Sequence, residues 1–360
     1  MPGGLRAPAG WHSVTAIFVV SALAWIASWA GTWVMTRWLA ARGIFDRPGE
    51  RSSHDRPVPK GAGAAVMTVL LAIWIALALT GLVPRGILGI AALAFVLAAV
   101  SWRNDLKDLS VTLRLVVQIA AVIVALLGWP GRGLLFQGLL APWLDQTLTA
   151  VAWVWFINLF NFMDGADGMT GVESVVIGLG VAVIGAFTGF GTEGYLLLGV
   201  TLAAVAAGFL PWNWYPARVF LGDVGSVPLG FVAGWLLLEL AGHGYWAPAL
   251  LLTLYYVSDA TLTLLRRLII GEPFWRAHNT HFFQRALARD GNHAAVVGLV
   301  LTGSVALALA AVAGIWWPVS ALCAGVAITG VLMTVLNRRG RETPGDWRSA
   351  RAAALRDTQS

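Results

Sequence analysis

The chain has 360 residues, of which 58% are apolar and only 12% charged, about half the charged share of an ordinary soluble domain. Such a chain needs a lipid solvent, which excludes the usual soluble classes. The formal charge of +6 would suit a nucleic-acid binder, but Lys and Arg in a membrane protein mark cytoplasmic loops, so no nucleic-acid partner is expected. The one cysteine, Cys323, lies in an apolar run and cannot form an intrachain disulfide.

Backbone polar groups in hydrocarbon are satisfied only by helices or closed barrels, and apolar runs without period-two alternation choose helices. Stretches of about 20 apolar residues predict eleven spans, near 13–36, 61–82, 86–102, 113–129, 147–163, 171–189, 194–211, 227–241, 246–265, 294–313 and 317–336. The first exceeds the usual signal length and follows no strongly basic region, so a retained helix is expected rather than a cleaved signal peptide. An odd number of spans puts the termini on opposite sides. With the loop at 37–60 inside, every Lys and Arg falls inside except Arg6, Arg85 and Arg132, and every acid except Asp145, Glu193 and Glu239 lies in or beside the inside segments. The expected protein is therefore an all-α integral membrane bundle of about eleven helices. Its N-terminus is outside, its C-terminus inside, and its working face cytoplasmic. Residues 1–337 form one catalytic membrane domain. Residues 338–360 form a basic cytoplasmic tail, in which Asp346 is placed to cap a short helix over 347–356.

Five inside segments carry polar groups beyond what solubility needs. The first runs from Phe45 to Gly63 and contains Lys60; a mixed-charge loop of this kind is ordinarily just solvated. The second, Asn104-Asp105-Leu106-Lys107-Asp108, sets Asp105 and Asp108 one helical turn apart at the mouth of a span. They suit Mg²⁺ binding or proton transfer, although a plain helix-end cluster reads nearly as well. The third is the sharpest. In it Asn158, Asn161, Asp164 and Asp167 recur every three residues as a span ends, with Gly165 and Gly168 permitting a tight turn and close approach to a ligand. Four such groups at the edge of hydrocarbon are expensive, so a functional site is the default reading. The fourth runs from Gly208 to Ser226, with Asn213 and a lone carboxylate, Asp223, between glycines. The fifth starts at Asp259, passes Arg266 and Arg267, and reaches Arg276, His278 and His281. No third ligand lies near the two histidines, and Arg and His opposite carboxylates suit a clamp for phosphates or sugar hydroxyls. Phosphoryl transfer needs this inventory of carboxylates, amides, cations and glycines.

At these segments, from Asp46 to His293, the sequence resembles the polyprenyl-phosphate N-acetylhexosamine-1-phosphate transferases, glycosyltransferase family 4. The Asn and Asp series ending in Asp164-Gly165-Ala166-Asp167-Gly168, followed by Val219-Phe220-Leu221-Gly222-Asp223-Val224-Gly225-Ser226, carries the resemblance. It implies that Asn161 and Asp223 hold Mg²⁺, with Mn²⁺ as an alternative ion, on the diphosphate of a UDP-amino sugar. By the same resemblance Asp105 is the second acid of an aspartate pair, Asp167 lies near the uracil, and Arg114 contacts the diphosphate. Arg276, His278 and His281 shape the amino-sugar pocket. Lys60, Asn158, Asp164 and Asn213 complete the candidate substrate contacts, and Asp105, Asp108 and Asp223 are the candidate catalytic acids. Arg51-Ser52-Ser53-His54 and the spaced His278 and His281 look closer to the O-antigen and common-antigen initiators than to the peptidoglycan branch.

The expected reaction is attack of a polyprenyl-phosphate oxygen on the sugar-linked phosphate of a UDP-sugar, with UMP leaving and Asp105 orienting or deprotonating the lipid phosphate; a covalent aspartyl-phosphate route is the alternative. One departure matters: the family usually has paired aspartates where this chain has Asn104-Asp105, and an amide is neither a base nor a full charge. Either Asp105 suffices, or Asp108 substitutes, or the chain is weakly active. On the first alternative Asn104→Asp changes the rate only modestly. A phospho-MurNAc-pentapeptide transferase-like enzyme, a flippase or transporter, and a non-catalytic lipid-binding relative are the rival readings, and a homodimer is an open oligomeric state.

Overall fold

The computed structural model describes residues 9–48, 56–128, 134–188, 194–272 and 279–340. It is helical almost throughout. Helix α1 (Ala9–Ala41) leads to a two-residue antiparallel pair, β1 (Phe45–Asp46) and β2 (Val58–Pro59). There follow α2 (Gly63–Leu79), α3 (Ile87–Leu106), α4 (Val111–Leu127), α5 (Pro142–Met163), α6 (Met169–Phe187), α7 (Tyr195–Asn213) and α8 (Asp223–Gly242). The chain ends in α9 (Trp246–Leu251), α10 (Leu254–Ile269), α11 (Phe282–Asp290), α12 (His293–Ala313) and α13 (Pro318–Arg339).

Every expected span coincides with a helix, but length and composition do not carry the count to eleven. Among the described residues seven helices are long and apolar enough to cross a membrane: α1, α3, α6, α7, α8, α12 and α13. Helices α2 and α4 are apolar but shorter, α5 carries Asp145, Asn158 and Asn161, and the run at 246–265 is broken at Leu252 and Thr253 into α9 and α10. The protein is a multi-pass membrane bundle. The expected tail at 338–360 starts inside α13, which holds Arg338 and Arg339; residues 341–360, with the helix expected there, lie outside the described residues.

Helix α8 is the axis of the bundle, 94% of its apolar window being buried, and its neighbours include α2, α3, α5 and α6. Its start is set by glycine. A Cβ on Gly63 would stand 2.3 Å from the Gly225 Cα, so only two glycines let the first turns of α2 and α8 touch. That contact brings the end of the first loop against the residues that open α8. In contrast, α1 presents Phe18, Trp25, Ile26 and Trp33 outward, as a lipid-facing helix does.

Candidate active site

The polar segments meet at one end of the bundle, and backbone hydrogen bonds hold them there. Phe220 N–H donates to the Pro59 carbonyl (2.8 Å), Gly61 and Ala62 N–H to the Phe220 carbonyl (3.1 and 3.0 Å), and Gly63 N–H to the Leu221 carbonyl (2.8 Å). The first loop thereby runs beside the segment that leads into α8.

The first N–H groups of α8 have no partner within the helix, and an acid from another helix supplies one. Asp105, in the last turn of α3, accepts from Asp223 N–H at Oδ1 (3.2 Å) and from Val224 N–H at Oδ2 (2.9 Å). Its Oδ1 also pairs with Lys60 Nζ at 3.1 Å, and the carboxylate is 1% exposed. Burial works against the Lys60 charge, but the carboxylates of Asp105 and Asp223 outweigh it and hold the ammonium above the ordinary lysine range.

Asp223 is the acid in the first turn of α8, where the helix dipole favours negative charge. Its Oδ2 accepts from Asn104 Nδ2 (2.8 Å) and from Arg114 Nη1 (3.2 Å). Its side chain is 19% exposed and lines a cleft of about 690 Å³ with Lys60, Asn161, Asp164 and Asp167. Asn161 Oδ1 accepts from Ser226 Oγ at 2.6 Å. Burial, with Asp223 adding to it, pushes the Asp164 carboxyl up to about 7.

On the far wall Asp167 is buried and accepts from Ala217 N–H at Oδ2 (2.8 Å), while its own N–H donates to His293 Nδ1 (3.1 Å). The Tyr215 ring stacks on His293 at 5.1 Å between centroids and 16° between planes, and both residues line the cleft. Asn213 accepts from Gly168 N–H (2.9 Å) and donates to the Val219 carbonyl (3.0 Å). Gly168 opens α6 at a φ of 84°, a backbone that glycine adopts without strain.

The last wall is α11. Asp259, fully buried in α10, accepts from Tyr255 Oη (3.0 Å), Thr263 Oγ1 (3.2 Å) and the N–H of Phe282 (3.0 Å). His281 Nδ1 stands 3.3 Å from the same carboxylate. This anchors the first turn of α11, whose Gln284 and Leu287 reach the cleft.

Comparison with known proteins bears on this arrangement. The model of glycosyl transferase family 4 matches residues 87–241. The undecaprenyl-phosphate alpha-N-acetylglucosaminyl 1-phosphate transferase of Escherichia coli (strain K12) is 31% identical over 271 residues, covering 68% of this chain and 70% of that protein. The chain belongs to glycosyl transferase family 4. A decaprenyl-phosphate N-acetylglucosaminephosphotransferase of Mycolicibacterium smegmatis is similar over more of the chain, 28% identical across 345 residues that cover 85% of each protein. A probable undecaprenyl-phosphate N-acetylglucosaminyl 1-phosphate transferase of Bacillus subtilis (strain 168) is 26% identical over 273 residues, 70% of this chain and 72% of that one. The resemblance to polyprenyl-phosphate N-acetylhexosamine-1-phosphate transferases is borne out by these matches.

Within this family 4 chain the cleft gathers Lys60, Asn161, Asp164, Asp167, Asn213 and Asp223 from the expected set. Arg114 reaches it through Asp223. Asp105 lies behind the wall with its oxygens committed to Lys60 and α8, and the exposed Asp108 does not line the cleft. Asn158 turns to α4, donating to Gln118 Oε1 at 2.7 Å, because a polar group three residues deeper in the helix needs a partner inside the bundle. His281 is buried beside Asp259 rather than presented to the cleft. Arg276, His278 and the run 51–54 lie outside the described residues. Sequence reading missed Tyr215, Gln284 and His293 as cleft residues; only the folded chain sets them beside Asp167 and Gly165.

The oxygen donors suit a hard cation. Asp223, Asp164 and the Asn161 carbonyl share the cleft, and Mg²⁺ is usually held by one or two carboxylates with substrate phosphates completing the shell. Among the described residues no three His, Cys, Asp or Glu side chains form an all-protein cage. The raised Asp164 has a measurable consequence. A folded carboxyl at about 7 against 3.8 unfolded favours the folded state fully below the unfolded value, and that advantage is lost as pH rises through the folded one. The unfolding midpoint of metal-free protein is expected to fall between about pH 4 and 7 more steeply in wild type than in Asp164→Asn. Parallel pH profiles for the two proteins would refute the assignment.

Proposed function

We propose that this chain transfers N-acetylhexosamine-1-phosphate from a UDP-sugar to polyprenyl phosphate, releasing UMP, at the cytoplasmic face of a bacterial inner membrane. The observation that carries the reading is the cluster at the start of α8: Asp223 flanked by Arg114, with Lys60, Asn161 and Asp164 in one cleft at the end of a membrane bundle. The E. coli relative bears the name of an enzyme for this transfer.

Asp223, Asn161 and Asp164 would hold Mg²⁺, which when bound supplies charge neutralisation on the diphosphate. Lys60, kept protonated by Asp105 and Asp223, supplies a further cation to phosphate oxygens. A lipid-phosphate oxygen forms the new P–O bond to the sugar-linked phosphorus while the bond to the UMP phosphate breaks, and the electron pair leaves with UMP. One phosphoanhydride replaces another, so the transfer is readily reversible. A phosphate monoester with a second pKa of about 6 is already ionised at neutral pH, and its attack needs no protein base. That agrees with an Asp105 walled off from the cleft. Asp167, Tyr215 and His293 form the wall that suits the nucleobase, Gln284 lies where α11 approaches Gly165, and Asn279 lines the same cleft.

The decisive experiment is release of UMP from UDP-N-acetylglucosamine by purified protein. Dependence on both Mg²⁺ and polyprenyl phosphate is expected; release without the lipid, or none at all, refutes the reading. Asp167→Ala is expected to weaken UDP-sugar and UMP binding by roughly 1 to 3 kcal/mol, the cost of leaving buried partners unpaired, with lipid binding little changed. Equal losses for both substrates would take Asp167 out of the nucleotide wall. The charge asymmetry supports a cleft and a C-terminus on the inside. A C-terminal reporter active only in the periplasm would reverse that topology.

A further inference from the structure

Asn104 precedes the buried Asp105 at the end of α3, and its hydrogen bonds give it a task of its own. Leu109 N–H donates to Asn104 Oδ1 at 2.9 Å, and Asn104 Nδ2 donates to Asp223 Oδ2 at 2.8 Å. A backbone N–H can only donate, so the carbonyl end of the amide must face Leu109 and the NH₂ end must face Asp223. The flipped amide would set donor against donor and oxygen against oxygen. Arg114 Nη1 joins on the same oxygen at 3.2 Å. Two ion pairs meet here, Lys60 with Asp105 and Arg114 with Asp223, one cation to each carboxylate.

We propose that Asn104 is a positioning residue that, beside Arg114, holds the Asp223 carboxylate in place without a metal ion, so that the site is preset before a divalent ion and substrate arrive. An aspartate at this position would accept from Leu109 equally well but would lose the donor to Asp223. It would also bring a second carboxylate to hydrogen-bond distance of the first, with two cations left to balance three anions. Such a pair needs an ion between its members before Asp223 is settled. The amide therefore exchanges metal-dependent assembly of this corner for a fixed one. This inference rests on the cation-holding role proposed for Asp223.

The test uses purified full-length protein in detergent at pH 8, with Mn²⁺ alone as the probe. Asn104→Asp is expected to unfold at least about 3 °C below wild type in chelator, and Mn²⁺ should close most of that gap while moving wild type little. Asn104→Ala is expected to weaken Mn²⁺ binding about tenfold or more, the usual effect of losing a group that orients a ligand. A metal-free Asn104→Asp as stable as wild type, a gap that Mn²⁺ leaves open, or unchanged Mn²⁺ affinity in Asn104→Ala would overturn the proposal. A purely structural role for the amide predicts the last of these. Wild type that releases no UMP yet shows the metal-closed gap would reject the proposed reaction and keep the role of Asn104.

Discussion

Asp223→Asn is expected to lower turnover by more than about 100-fold, since losing a group that merely orients a metal ligand already costs 10- to 100-fold. The unfolding midpoint should stay close to that of wild type. The substitution keeps size and shape, and the new amide oxygen can still accept from Asn104 and Arg114, which now meet at Oδ2. What goes is the negative charge facing the cleft, together with a favourable helix-dipole interaction of about 0.3 to 1 kcal/mol. UMP release at saturating Mg²⁺, paired with thermal unfolding, checks both halves. Near-normal turnover would remove Asp223 from the reaction.

Asp105→Asn is expected to behave differently, losing stability as well as turnover. The carboxylate presents two oxygens to three donors: Asp223 N–H and Lys60 Nζ at Oδ1, and Val224 N–H at Oδ2. An amide has one oxygen, so its NH₂ must face either Val224 N–H or both Asp223 N–H and the ammonium. Breaking a buried ion pair costs about 3 to 5 kcal/mol. Lys60 is 33% exposed, which places this case near 3 kcal/mol, the low end of that range. A clear drop in unfolding midpoint should accompany the loss of turnover, because Lys60 and the start of α8 lose their common anchor. Lost turnover at an unchanged midpoint would instead make Asp105 a chemical participant, as the sequence alone suggested.

These two variants show where sequence reading runs out. Asp105 and Asp223 look alike in sequence, each an acid beside a membrane span. Only the fold distinguishes one whose oxygens are spent on the first N–H groups of α8 from one that opens onto the cleft. The same holds for Asn158 and Asn161, three residues apart on α5: the deeper one satisfies itself on Gln118, and the one at the mouth meets Ser226 and the cleft. His281 was legible as a polar residue in a polar segment, but its use as a partner of Asp259 depends on α10 and α11 folding together.

The sequence by itself determined that this is a helical membrane protein, which polar segments are candidates for its chemistry, and which family those segments resemble. Apolar length dictates helices in lipid, and costly polar groups at hydrocarbon edges mark candidate sites. Tertiary structure alone decided the rest. Gly63 against Gly225 brings Lys60 to the start of α8, and α11 and the turn before α12 set Gln284 and His293 beside residues more than a hundred positions away. Hydropathy records what each residue costs in lipid, whereas the partner that meets that cost is chosen by contacts between helices distant in sequence.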